Sequence, residues 1–201
     1  MVHIKICGMC SIQDIQCVNE VKADYAGFVF ASGKHQISIS EAKNLIPHLN
    51  HSKSVGVFVN EKIDKIAHIA NTIHLDVIQL HGEESQKDIQ YLKETTPCEV
   101  WKAIRLHTLK DYQLFHELHP DRFLVDSFDK SSYGGTGKRI KKELLASLDL
   151  SDKILAGGIN TQNVHEILSY HPYMIDVSSG VETNGSKDIQ KIRKLISEVK
   201  K

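Results

Sequence analysis

Three segments of the chain place reactive or phosphate-binding residues directly after short apolar runs. Cys7 ends the first such run, Asp126 ends a later one, and the pair Gly157-Gly158 follows a third. When successive buried strands end in a thiol, a carboxyl group and paired glycines, these groups can line one pocket at the edge of the sheet. This arrangement is typical of an enzyme.

The late glycine-rich segments predict a phosphate site. Gly157-Gly158 follows the seventh apolar run, and Ser178-Ser179-Gly180 follows the eighth. Glycines let backbone N–H groups approach a phosphate closely, and a helix N-terminus after such a loop adds a favourable dipole. The alternative is that these glycines serve only to make tight turns.

Asp126 is a candidate general acid. Burial at the end of an apolar run favours the neutral form of a carboxyl group, and a neutral carboxyl can donate a proton. Alternatively, Asp126 caps a nearby helix or accepts N–H bonds from its own loop. His81 and Asp176 also lie near strand ends, although a structural role explains each of them more readily when it is taken alone.

Cys7 has three competing interpretations. As a thiol at a strand end it can act as a base, and we expect either a pKa below the ordinary ~8.5 or a rate that rises towards alkaline pH. With Cys10 it forms a C-x-x-C pair, which occurs in dithiol redox centres and as half of zinc sites. Cys17 and Cys98 offer no matching spacing, and a buried, inert cysteine is the third possibility.

Apolar runs of strand length recur along the whole chain, and most lack an alternating polar face. Helical spacing separates several of them, most clearly at residues 63–70 and 189–199, and Asn60-Glu61 and Asn160-x-x-Asn163 are the predicted N-cap signals after their strands. This repetition predicts a (β/α)8 TIM barrel that occupies residues 1–201 as one domain, with a doubly wound open sheet as the alternative. The predicted strands are residues 4–7, 25–30, 54–59, 76–80, 99–104, 123–126, 154–156 and 174–177.

The segment 127–138 is long, polar and rich in glycine for so compact a chain. A lid that closes over a substrate has this composition. An ordinary surface loop has it too, so composition alone leaves both interpretations open.

The overall charge favours a small-molecule partner. Among 201 residues, 25 Lys and Arg balance 25 Asp and Glu, which argues against a nucleic acid or an anionic membrane as partner. No apolar stretch approaches the ~20 residues that span a bilayer, and the start of the chain lacks a signal-peptide pattern. We therefore expect a cytoplasmic protein.

Taken together, these residues resemble the phosphoribosylanthranilate isomerase family of tryptophan biosynthesis along essentially the whole chain. The motifs are KICG at 5–8, ADYAGFVF at 23–30, VGVFVN at 55–60, QLHGE at 79–83, GGTG at 134–137, AGGIN at 156–160 and DVSSGVE at 176–182. The resemblance implies a (β/α)8 barrel that needs no metal and no organic cofactor.

The reaction implied by the resemblance is an Amadori rearrangement of N-(5-phosphoribosyl)anthranilate, the third step of tryptophan biosynthesis from chorismate. An acid must protonate the ribose ring oxygen, and a base must remove the proton from C2. By resemblance, Asp126 is the acid and Cys7 is the base. The implied substrate-binding residues are Lys34, His35, His81, Gly135, Gly157, Gly158, Asp176, Ser178, Ser179 and Gly180.

One segment departs from the family pattern. The second loop of the family reads Ser-Lys-Arg, and its arginine grips the carboxylate of the anthranilate, whereas this chain has His35 at that position. A histidine cannot make the planar two-bond grip of a guanidinium, and it is only partly charged near neutral pH. Lys34 or protonated His35 is expected to act instead as a point charge.

Other functions compete with this interpretation. A different phosphosugar synthase or epimerase would use the same fold, although the pairing of Cys7 with Asp126 argues against it. A phosphate-ligand binder without catalytic activity is a second alternative, and a redox protein with a Cys7–Cys10 disulfide is a third. We expect a monomer or a homodimer.

Overall fold

The computed structural model describes residues 2–106, 111, 114–127, 145 and 147–200 of the 201-residue chain. Within these residues, eight parallel strands pair in chain order and the last pairs with the first, so that the sheet closes into a barrel. The prediction of a (β/α)8 barrel is confirmed, and the doubly wound open sheet is wrong. The strands are β1 His3–Cys7, β2 Tyr25–Val29, β3 Lys53–Phe58, β4 Val77–Leu80, β5 Glu99–Leu106, β6 Arg122–Ser127, β7 Ile154–Leu155 and β8 Met174–Val177.

Helices lie between the strands and cover the outside of the barrel. The described helices are α1 Ile12–Val21, α2 Ile39–Leu45, α3 Ile63–Ile73, α4 Gln86–Thr95, α5 Leu114–Glu117, α6 Val164–Leu168 and α7 Ile189–Val199. Short 3₁₀ turns occur at Ile46–His48 and Ser179–Val181, and a small antiparallel hairpin pairs β9 Glu182–Thr183 with β10 Ser186–Lys187. No helix in the described part of the chain is both long and apolar enough to cross a lipid bilayer.

Capping differs in part from the prediction. Ser11, Ser38 and Ser85 begin α1, α2 and α4 with capping boxes, in which each serine accepts an N–H bond three residues ahead and the acidic residue there bonds back. The prediction of Asn60 as an N-cap is wrong, because α3 begins at Ile63 after Lys62. Asn60 instead has a positive φ of 50° and accepts a hydrogen bond from the backbone N–H of Glu83.

Two apolar layers hold these elements together. The outer layer packs strand residues against the helices, and α7 buries the stripe formed by Ile192, Leu195, Ile196 and Val199. The inner layer fills the barrel with inward side chains, among them Trp101, which is fully buried with its ring centroid 5.0 Å from that of Tyr25. The barrel is therefore a packed core with its open space at one end.

Candidate active site

A cavity of about 820 Å³ opens at the carboxyl ends of the strands. This is the end at which enzymes of this fold place their chemistry. Gly135 lies outside the described residues. The other sequence-predicted site residues line this one cavity, namely Cys7, Lys34, His35, His81, Asp126, Gly157, Gly158, Asp176, Ser178, Ser179 and Gly180.

Asp126 is held by a chain of two side-chain hydrogen bonds. Its Oδ2 atom lies 3.0 Å from Nε2 of His81, and Nδ1 of His81 lies 3.1 Å from the amide nitrogen of Gln79. The amide nitrogen can only donate, so Nδ1 accepts and the neutral ring carries its proton on Nε2, facing Asp126. All three side chains are buried, and the carboxyl group is therefore fixed in direction.

The turn that carries His81 rests on a buried ion pair. Glu84 accepts the backbone N–H of Gly82, and the Lys102 ammonium lies 3.0 Å from Glu84 and 2.6 Å from the Gly82 carbonyl oxygen. The Arg105 guanidinium donates to the carbonyl oxygen of His81 at 2.8 Å. These bonds hold the backbone on both sides of the imidazole, so His81 presents one orientation to Asp126.

Cys7 lies at the end of β1 with a buried, free thiol. Burial raises the pKa of this thiol above its ordinary value, and the positive charge of Lys5 opposes only part of that effect. The expectation of a lowered pKa is therefore wrong. The other expectation, a rate that rises towards alkaline pH, stays a prediction.

A glycine on the neighbouring strand makes room for this thiol. Gly27 of β2 stands in register with Cys7, and a Cβ at Gly27 would lie 2.7 Å from the sulfur of Cys7 and 3.1 Å from Cε of Lys5. Any side chain at Gly27 would displace both groups. The close approach of the two strands thus allows Lys5 and Cys7 to share one side of the barrel interior.

The loops that follow β7 and β8 meet on one side of the cavity. Gly157 and Gly158 both have positive φ angles, 94° and 64°, which side chains rarely adopt. A Cβ at Gly180 would collide with the carbonyl oxygen of Ile159, so the second loop can approach the first only as glycine. Among the described residues, the N–H groups of Gly157 and Gly158 have no hydrogen-bond acceptor, which leaves them available to an anion.

A cluster of charges joins the β2 loop to the hairpin after β8. Glu182 receives Lys187 at 2.6 Å and His35 at 3.0 Å on one oxygen, and Lys34 at 2.8 Å on the other. Burial alone would raise the pKa of Glu182, but the hydrogen bonds from Lys187 and Lys34 outweigh it and hold that pKa below the usual range. Burial and the nearby Lys187 charge lower the pKa of His35, so its ring is mostly neutral at neutral pH.

The C-x-x-C pair does not act as one unit in this structure. All four cysteines are free; Cys7 is buried, whereas Cys10 is exposed with its sulfur 3.5 Å from the carbonyl oxygen of His35. In the part of the chain that the structure describes, no three His, Cys, Asp or Glu side chains come close enough together to hold a metal ion.

Sequence reasoning missed four residues of this region. Lys5 and Gln79 lie two positions before Cys7 and His81 on their strands, and Glu182 and Lys187 belong to the hairpin after β8. Because side chains two apart on a strand point the same way, a polar residue two positions before a candidate catalytic residue was a usable signal. The pairing of Glu182 with Lys34 depends on the closure of the barrel, and no local pattern indicates it.

Comparisons with known proteins show which family the chain is similar to. Residues 4–198 match the family model of N-(5'phosphoribosyl)anthranilate (PRA) isomerase. The N-(5'-phosphoribosyl)anthranilate isomerase of Thermoanaerobacter sp. (strain X514) is 45% identical over 203 residues, which cover 100% of this chain and 98% of that relative.

Two solved structures are similar over the same length. Monomers of the dimeric phosphoribosylanthranilate isomerase from Thermotoga maritima superpose with a TM-score of 0.81 at 33% identity, covering 100% of this chain and 99% of that one. A phosphoribosyl anthranilate isomerase in complex with reduced 1-(o-carboxyphenylamino)-1-deoxyribulose 5-phosphate gives a TM-score of 0.82 at 32% identity, again covering 100% and 99%.

Proposed function

The chain belongs to the N-(5'phosphoribosyl)anthranilate isomerase family, and on that premise we propose that Asp126 is the general acid and Cys7 the general base of its reaction. The enzyme converts N-(5-phosphoribosyl)anthranilate to 1-(2-carboxyphenylamino)-1-deoxyribulose 5-phosphate in tryptophan biosynthesis. The observation that carries the assignment is that Cys7 and Asp126 line the same cavity from β1 and β6.

The first step opens the ribose ring. Asp126 gives its proton to the ring oxygen while the bond from that oxygen to C1 breaks and the nitrogen lone pair forms a C=N bond. The carboxylate left behind is stabilised by the Nε2–H of His81, which already faces Oδ2 at 3.0 Å. His81 thus acts on the acid and keeps it pointed at the substrate.

The second step forms the enolamine. The Cys7 thiolate takes the proton from C2, the C1=C2 bond forms, and the electrons of the C=N bond return to nitrogen. The enolamine then becomes the ketone as C1 gains a proton and the C2 hydroxyl loses one. Since the pKa of Cys7 is raised, only a small fraction of the free enzyme holds the thiolate at neutral pH.

The phosphate of the substrate is bound between the two late loops. Gly157 and Gly158 line this space from one side, with N–H groups that bond no acceptor among the described residues, and the segment 178–180 closes it from the other. By family resemblance we also propose Gly135, which lies outside the described residues, as a substrate-binding residue.

Lys34 binds the carboxylate of the anthranilate. The ring of His35 is mostly neutral and already bonds Glu182, whereas the Lys34 side chain is 60% exposed and lines the cavity. If Lys34 turns to the substrate, Glu182 keeps the buried ammonium of Lys187. His35 holds the β2 loop in place through its bond to Glu182.

Asp176 binds a hydroxyl group of the ribose. Its Oδ2 accepts the Lys5 ammonium, but its buried Oδ1 has no hydrogen-bond partner among the described residues. Asp176 lines the cavity, so a sugar hydroxyl can supply the missing donor. We place residues 1–201 in one catalytic domain that acts in the cytoplasm as a monomer or homodimer on this phosphorylated small molecule.

The test is a fluorescence assay of N-(5-phosphoribosyl)anthranilate turnover with Cys7→Ser and Asp126→Asn beside matched controls. Cys10→Ser alters an exposed cysteine three residues away, and Asp152→Asn alters an exposed carboxylate. We expect kcat to fall about 10²–10⁴-fold in the two site variants and to stay within twofold in the controls.

The pH dependence separates the two roles. In the wild type, kcat/KM should keep rising beyond the ordinary thiol pKa, and Cys7→Ser should remove that ascending limb. Retention of wild-type kcat by Cys7→Ser, or an unchanged ascending limb, would contradict the assignment of the base. A folded wild type that binds phosphate without turnover would contradict the catalytic function as a whole.

A further inference from the structure

A fully buried lysine lies beneath the candidate base. Lys5 precedes Cys7 by two positions on β1, so both side chains point into the barrel, and the Lys5 side chain is 0% exposed. Its Nζ atom lies 2.6 Å from Oδ2 of Asp176, which stands in register with Lys5 on β8. The two acid–base steps leave Lys5 without a role, and any role for it at the sulfur rests on the proposed function of Cys7 as the base.

The Lys5 ammonium also acts on the sulfur. It donates a hydrogen bond to Asp176, its positive charge acts on the thiol of Cys7 two positions further along β1, and Gly27 on the neighbouring strand leaves the space for both side chains. Burial alone would lower the pKa of Lys5, but Asp176 and Cys7 outweigh it and raise that pKa, so Lys5 carries its charge at neutral pH. One buried cation therefore acts on both Asp176 and Cys7.

Stability alone does not explain this arrangement. Taking two charges out of water costs about as much as their attraction returns, and well-packed apolar residues commonly replace such pairs without loss. The interior around the pair includes apolar residues, among them Tyr25, Val55 and Met174. A buried ion pair in such a layer calls for a role in the site.

The charges that face the Cys7 sulfur come from three elements. Lys5 on β1 and Lys187 on β10 stabilise a thiolate, and Asp176 on β8 opposes one. Two further pairs lie across the opening of the cavity. In one, His81 bonds Asp126, and in the other, His35 bonds Glu182. Lys5 makes the largest favourable contribution at the sulfur, and Asp176 makes the largest unfavourable one from another charge.

We propose that Lys5 is a positioning residue of the reaction, whose ammonium is paired with Asp176 and stabilises the thiolate form of Cys7 by its charge. The carboxylate of Asp176 competes with the sulfur for the Lys5 ammonium and so determines how strongly Lys5 stabilises the thiolate. A sugar hydroxyl that donates to Oδ1 of Asp176 weakens the hold of the carboxylate on Lys5. Substrate binding then moves the Lys5 charge towards the thiol and forms the base when it is needed.

The test measures the thiol without substrate, so its result does not depend on turnover. The alkylation rate of Cys7 by iodoacetamide is followed against pH by mass spectrometry of the Cys7 peptide, in the wild type, Lys5→Met, Asp176→Asn and the double variant. We expect Lys5→Met to slow alkylation at neutral pH at least about tenfold and Asp176→Asn to speed it at least about threefold. The double variant should lie between the two.

The proposal predicts that the two single variants change the alkylation rate of Cys7 in opposite directions. A pair that serves only to hold the fold together would move the thiol in the same direction whichever member is removed. An unchanged alkylation profile in Lys5→Met, or shifts of one sign in both single variants, would overturn the proposal. Should Lys5→Met fail to fold, a double variant that alkylates more slowly than Asp176→Asn supports the role of Lys5, and equal rates refute it.

The activity assay separates this proposal from the assignment of the base. If Cys7→Ser keeps its turnover while the thiol still responds to Lys5→Met, the proposed function fails and the electrostatic coupling stands. If Cys7→Ser loses its turnover and the thiol ignores Lys5→Met, the base stands and the role of Lys5 fails.

Discussion

Gln79→Met tests whether the orientation of the acid depends on a residue that bonds His81 rather than Asp126. Methionine has nearly the length of glutamine but cannot donate to Nδ1 of His81. The ring is then free to carry its proton on Nδ1, which leaves a lone pair facing Asp126. That lone pair competes with the ring oxygen of the substrate for the proton of the acid.

The magnitude follows from the bonds that are lost. Gln79 is 1% exposed and makes one side-chain hydrogen bond, at 3.1 Å to His81, while its Oε1 has no partner within the described residues. One buried hydrogen bond contributes about 1–1.5 kcal/mol. If that energy is lost from the transition state, kcat falls about tenfold, with little change in KM because Gln79 holds His81 and not the substrate.

The assay combines steady-state kinetics with nitrogen NMR of the histidine ring. The ¹⁵N shifts of His81 should show a proton on Nε2 in the wild type and a mixture of tautomers in Gln79→Met. Gln90→Met is the matched control, since Gln90 is exposed on α4 and bonds Glu94 away from the cavity. A kcat within twofold of wild type, or a single Nε2–H tautomer in the variant, would refute the reasoning.

Two further variants test the charge cluster at the β2 loop. Lys34→Met should raise KM about tenfold with kcat nearly unchanged, because it removes an exposed charge that serves binding. The control is Lys43→Met, at another exposed lysine, and an unchanged KM in Lys34→Met would exclude Lys34 as the carboxylate ligand. Glu182→Gln should destabilise the fold by about 3 kcal/mol at pH 7, since it leaves the buried Lys187 unpaired. Because the folded pKa of Glu182 is lowered, this contribution is full above the ordinary glutamate pKa of about 4.3 and is lost as the pH falls through the folded value. Thermal unfolding curves should therefore differ most near neutral pH and converge only once the pH has fallen below the lowered folded pKa of Glu182. An equal difference at neutral and at acidic pH would contradict the assignment.

The strands were predictable because their patterns are local. Each predicted strand agrees with an observed one to within two residues at either end, since buried parallel strands read as continuous apolar runs. Cys7, His81 and Asp126 could be placed in one cavity for the same reason: all three follow such runs, and parallel strands end at one edge. Element order and strand ends were therefore enough to predict where the site lies.

The electrostatics of the site were harder to predict from the sequence. The pKa of Cys7 depends on how deeply the thiol is buried and on Lys5 and Asp176, and the second of these lies on the strand that closes the barrel. A strand pattern says that Cys7 is near a surface edge but not how much water reaches it. The prediction of Asn60 as a cap failed for a similar reason, because its side chain is committed to the neighbouring turn at Glu83.

The contact between Lys5 and Asp176 also bears on how the chain is made. The two residues stand 171 positions apart, and a ribosome adding about 5–20 residues per second needs roughly 10–35 s to travel that distance. Until β8 arrives, an N-terminal fragment that folded early would have to bury the Lys5 ammonium without its counter-ion. That cost disfavours partial barrels during synthesis, so the pair that tunes the thiol also delays burial of the first strand until the last is available.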